Sequence, residues 1–133
     1  MVWMLVGCDP EPQTTHLSGV ISLEYVGISD DGVGFTLNNQ STNAVLLRGE
    51  RAPHGDFDPW NAKVDCRGPS GTTRYDRPVQ VDAGQPQILR ILPSEKIRLV
   101  VWADFVSASK GERCQLRLQL EDQMKIDSSE FVP

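Results

Sequence analysis

Residues 54–60, HGDFDPW, gather one histidine and two carboxylates within five positions. Groups of this kind, if they converge on one point, shift each other's proton affinity and can serve as general acid and base. In an extended segment, Asp56 and Asp58 project to the same side with His54 beside them, which would also suit a weak cation site. The rest of the chain does not complete an active centre around them. The two histidines, His16 and His54, are far apart and lack the one-turn helical spacing of H-E-x-x-H. There is no G-x-S-x-G nucleophile elbow, and no C-x-x-C or H-x-x-x-H spacing to organise zinc around Cys66 and Cys114. DGVG is too short for a phosphate loop and has no lysine. Asp30 and Asp31 lack the spaced oxygen ligands and distal glutamate of a calcium loop. The expectation is no enzyme, no metal and no cofactor. His54, Asp56, Phe57, Asp58 and Trp60 then read as a loop whose aromatic residues either pin it to its own domain or anchor a protein partner.

The elements that would carry this loop are strands. CQLRLQLE puts Cys114, Leu116, Leu118 and Leu120 on one face and Gln115, Arg117, Gln119 and Glu121 on the other, which is a strand buried on one side and wet on the other. KIRLVVWADF alternates similarly, with Ile97, Leu99, Val101 and Ala103 inward. Val100 and Trp102 on its second face imply a cover there. LSGVISLEYVG and VGFTLNNQS alternate about the turn SDDG, whose Asp and Gly suit turn dihedrals. NAVLLRG, Val64 to Cys66, QILRIL and QMKIDS supply the remaining strands, with GPSGTT as a turn. Short strands between Gly, Pro, Asn and Asp turns predict an all-β, immunoglobulin-like antiparallel β-sandwich of about seven to eight strands. Residues 48–62 read as one long irregular connection carrying the opening motif, and a connection of that length is usually functional or mobile.

At 133 residues the chain fits a single domain with a real core. A net charge of −5 argues against nucleic acid, which needs a basic face. No run of apolar residues is long enough to span a membrane. MVWMLVGCDP is apolar up to Cys8, and Leu5-Val6-Gly7-Cys8 resembles the bacterial lipobox, whose cysteine is acylated. That resemblance implies a division into 1–8, the remnant of a lipoprotein signal; 9–16, a flexible tether; and 17–133, a single β-sandwich. It also implies the bacterial cell envelope, with the membrane touched only through a lipid on Cys8 and the domain facing the periplasm or exterior. Export would bring the remaining pair, Cys66 and Cys114, into an oxidising compartment, where they are the disulfide candidates.

The middle and end of the chain resemble the N-terminal β-sandwich (pro-region) domain of deuterolysin-type zinc metalloproteases. FTLNNQSTNAVLL is similar to that domain's strand, Asn-x-Ser/Thr turn and strand. Val64 with CRGPSG, then Tyr75, Arg77-Pro78, ILPSEK and VVWADF followed by KGERCQLRLQL stand in the family's order. The likeness covers about residues 17–121. Ser94 replaces a glycine, and Arg113-Cys114 stands where the family has a threonine and an aromatic. No position here matches the family's catalytic domain, so no catalytic residue carries over. The resemblance implies a non-enzymatic protein that binds another protein, as inhibitor or folding aid of a secreted metalloprotease. The alternative is a structural, adhesive or carbohydrate-binding envelope module, with Trp102 as the aromatic for a sugar.

Overall fold

A computed structural model describes residues 20–52, 55–78 and 85–133. Cys8, the 9–16 tether, His16 and His54 lie outside the described residues. Ten strands are described: β1 (Ile21–Ser29), β2 (Gly32–Asn39), β3 (Val45–Arg51), β4 (Phe57–Pro59), β5 (Ala62–Gly68), β6 (Gly71–Asp76), β7 (Gln87–Ile91), β8 (Lys96–Val101), β9 (Arg113–Gln119) and β10 (Lys125–Asp127). They form a six-stranded sheet in the order β1-β2-β8-β4-β3-β7 and a four-stranded sheet in the order β10-β9-β5-β6. The chain is therefore all-β, in two sheets.

The core lies between the sheets and follows the alternation. Val33, Phe35 and Leu37 of β2, with Leu99 and Val101 of β8, face Val64 and Cys66 of β5 and Cys114, Leu116 and Leu118 of β9, all of them buried. The C-terminal segment closes one end. Phe131 exchanges both main-chain hydrogen bonds with Cys114 (2.7 and 2.8 Å). Its ring stacks on Tyr25 at 4.7 Å and meets Phe35 edge-on at 5.3 Å, tying the small sheet to the large one. Because Cys114 spends its N–H and C=O on Phe131, it faces Cys66 as the close, non-hydrogen-bonded kind of antiparallel pair. The two are bridged by a disulfide, with Cα atoms 4.0 Å apart. The bridge lies within one sheet, unlike the inter-sheet bridge of antibody domains.

Four features differ from the expectation, the first being ten described strands where about seven to eight were expected. Residues 48–62 are not one irregular connection, because β3 runs on to Arg51 and Phe57–Pro59 inserts between β8 and β3. This inserted strand pairs antiparallel with β3 but parallel with β8, through Phe57 and Leu99, so the sandwich is not wholly antiparallel. Gly71–Thr73, expected in the turn GPSGTT, instead open an edge strand, Gly71–Asp76, paired with β5.

The inserted strand depends on a missing side chain. Along β3 the inward positions are Val45, Leu47 and Gly49, and the Phe57 ring fills the space beside Gly49. A Cβ at Gly49 would run into the Asp58 carbonyl and come within 2.6 Å of Phe57 Cε2. Since the obstruction is backbone and a packed ring, Gly49→Ala is expected to destabilise the fold by about 1–3 kcal/mol. Urea unfolding at neutral pH checks this, and an unchanged midpoint would mean that β4 does not sit against Gly49.

Candidate functional site

The opening motif divides between core and surface. Phe57 is 1% exposed and belongs to the core. Asp58 points to the outer face of the six-stranded sheet, directly across from Glu50 on β3. Two carboxylates in that relation repel each other, and Arg77 resolves the conflict. Its guanidinium, on a side chain 12% exposed, donates from Nε and Nη2 to the two Asp58 oxygens (3.2 and 2.8 Å), and Nη2 lies 3.4 Å from Glu50 Oε1. Trp60 completes the cluster by donating its indole N–H to Glu50 Oε1 (3.0 Å), while the Arg77 Cζ sits 5.6 Å from its ring centroid. Asp56 turns the chain between β3 and β4, its carbonyl accepting from the Ala52 N–H at 2.7 Å. The structure thus brings together Asp58 and Trp60 with Glu50 and Arg77, and it sends Phe57 away from them into the core.

Beside Trp60 lies a groove of about 390 Å³ on the outer face of the four-stranded sheet. Strand register assembles it. Lys63 on β5 stands opposite Arg117 on β9 and Asp76 on β6, and Lys125 on β10 stands opposite Gln119. Five cationic side chains, Lys63, Arg74, Arg77, Arg117 and Lys125, line it against one carboxylate, Asp76. Carboxylates that do not line the groove hold three of these cations in place. Asp65 accepts two hydrogen bonds from Arg74 (2.7 and 2.9 Å) and lies 3.9 Å from Arg117, while Asp127 accepts from Arg117 at 2.7 Å. Asp58 does the same for Arg77. Among the described residues, Lys63 and Lys125 take part in no ion pair.

Trp102, the candidate sugar aromatic, is half-buried, packs against the core and meets Phe105 edge-on at 5.8 Å. Val100 beside it is buried on the second face of β8. Among the described residues no three His, Cys, Asp or Glu side chains gather as a metal-holding group, and no helix is long and apolar enough to cross a membrane.

Sequence reasoning found the wet face of β9 (Gln115, Arg117, Gln119) but not Glu50, Lys63, Arg77 or Lys125 as neighbours of Trp60. The available signal was the outward position of Lys63 and Lys125 in alternating strands. Their meeting depends on register across three strands. Compared with known proteins, the chain matches no family model, no curated protein and no solved structure.

The ion pairs set a pH dependence. The hydrogen-bonded Arg74 guanidinium holds the Asp65 carboxyl below its usual range, helped by the charges of Arg117 and Lys63 and opposed by partial burial. Arg48, donating to both Glu121 oxygens, lowers that carboxyl in the same way. A carboxyl depressed in the folded state binds fewer protons there than in the unfolded chain. Its stabilisation is complete above the unfolded value of about pH 4 and is lost as pH falls through the folded value. The urea midpoint should therefore decline on acidification below about pH 4, and Asp65→Asn should make that decline shallower. An identical acid limb in the two proteins would remove Asp65 from this role.

Proposed function

We propose that this chain is a non-enzymatic binding module whose immunoglobulin-like sandwich takes another protein in the groove beside Trp60. The observation that carries the proposal is the groove itself. It is a concave, cation-lined surface with an aromatic at one wall, whose three arginines are held by neighbouring carboxylates. A prearranged surface loses less conformational freedom on binding than flexible side chains would. The opening motif supports a role without catalysis, since Asp58 and Trp60 are engaged by Arg77 and Glu50, and Phe57 is packed in the core. The Cys66–Cys114 bridge supports an exported protein. With it goes the proposal of a lipid anchor at Cys8 that holds the domain to the bacterial envelope. The layering of two sheets, largely antiparallel, supports the immunoglobulin-like arrangement. On the resemblance to deuterolysin pro-regions, a secreted metalloprotease is the partner class to try first, inhibited or helped to fold by this module.

A photo-crosslinking side chain tests the protein-binding reading. It would be placed at Asn61, on the groove, or at Ser107, an exposed position in the connection from β8 to β9. In envelope preparations the Asn61 position should yield a discrete, protease-sensitive adduct that the Ser107 position does not. The same adducts at both positions, none at Asn61, or a protease-resistant glycan adduct would contradict the proposal.

A further inference from the structure

The chemistry of the groove narrows the partner, given that the groove binds a protein at all. The chain carries a net charge of −5, yet the charged side chains lining this one surface are five cations and a single carboxylate. Arg74, Arg77 and Arg117 are each held by an acidic partner through Nε and Nη2. That pairing orients each planar guanidinium; Arg77 Nη1 also donates to the Pro78 carbonyl (3.4 Å) and Arg117 Nη1 lies 3.9 Å from Asp65, so donor capacity remains mainly in the second N–H of each Nη group. Lys63 and Lys125 add two ammonium groups that form no ion pair among the described residues, although the Lys63 charge is felt by Asp65.

Their spacing suits an extended ligand with more than one negative charge. Lys63 and Lys125 sit on strands separated by β9 and are offset by two residues along it, opposite Arg117 and Gln119 respectively. By sheet geometry their Cα atoms are about 12 Å apart. One small anion would have to draw both flexible lysine side chains inward from that separation. An extended peptide, at about 3.3 Å per residue, spans that distance with two acidic side chains three to four positions apart. Sugar rings stack on a free aromatic face, and at Trp60 the Arg77 guanidinium lies against the ring while Glu50 accepts from its N–H, which leaves less of the ring for a sugar polymer. Backbone amides of a peptide would instead meet the side-chain amides of Asn61 and Gln119 on the same surface.

We infer that the groove is a docking site for an acidic, extended peptide segment of a protein partner, with Lys63, Lys125 and Arg117 receiving its carboxylates. This inference rests on the protein-binding reading above and adds the partner's charge and form.

Fluorescence anisotropy with labelled hexaglutamate in low-salt buffer tests it. Two double variants carry the same change in net charge: Lys63→Glu with Lys125→Glu in the groove, and Lys96→Glu with Lys110→Glu at exposed positions away from it. The groove pair should weaken hexaglutamate binding about tenfold or more, and the distant pair less than about twofold, because unpaired charges at the contact matter more than net charge. Salt should weaken the parent's binding. Thermal unfolding of both variants confirms that they are folded, and Lys63→Gln with Lys125→Gln replaces the groove pair if reversal unfolds it. No binding of hexaglutamate, equal losses from both pairs, or stronger binding of polygalacturonate or inorganic phosphate than of hexaglutamate would overturn the inference. If the Asn61 adduct is found but hexaglutamate fails, the groove binds a protein of a different chemistry. If the adduct is also absent, the binding reading itself falls.

Discussion

Glu50 and Asp58 stand directly opposite each other on neighbouring strands, and Arg77 lets them do so. Without a cation between them, the short strand Phe57–Pro59 would bring two like charges face to face on the outer side of the sheet. With Arg77 in place, the same pair becomes an attachment point. Arg77 directly follows β6, the edge strand of the small sheet, whereas its acidic partners belong to the large one. The contact therefore joins the two sheets at the surface, as the Phe131 ring joins them in the core beside the cystine. Trp60 lies where the chain leaves the large sheet for the small one, and both Glu50 and Arg77 fix its ring.

This arrangement ties the inserted strand to the groove. Gly49 makes room for Phe57, Phe57 seats β4, and β4 sets the position from which Trp60 and Asn61 cross to the small sheet. Trp60 forms one wall of the groove, and the outward side chains of β5, β9 and β10 form its floor. Asp65 and Asp127 on these strands order the Arg74 and Arg117 guanidiniums. Asp65, lowered by Arg74, is the clearest case. Rigid, oppositely charged pairs on a wet sheet face contribute little to stability one by one. Their larger consequence here is that the three arginines of the lining are each held in one orientation.

The sequence made the strongly alternating strands plain. Cys114, Leu116, Leu118 and Leu120 are all buried as their spacing required, and Leu99 and Val101 of β8 likewise. It was silent where the periodic signal is too short or too polar. FDP has one inward-outward-inward cycle between turn residues, and its strand character comes from the gap at Gly49. GTTRYD offers only Tyr75 as an apolar residue, because it is an edge strand. The cluster at Asp58 was half visible: the acid and the tryptophan were noticed, but Arg77 lies 19 residues along the chain and meets them only after two strands have paired. The groove was less visible still, since Lys63, Arg117 and Lys125 come together through register alone.

Asp58 serves as the structural partner of Arg77, fixing the strand and the groove wall. A double-mutant cycle on unfolding free energy with Asp58→Asn, Arg77→Gln and the double variant measures this coupling directly. Contacting residues in a shared hydrogen-bond network couple by about 0.5–3 kcal/mol, and this pair, two hydrogen bonds with the guanidinium largely buried, should give at least about 1 kcal/mol. Additivity of the two single changes to within about 0.5 kcal/mol would contradict the account.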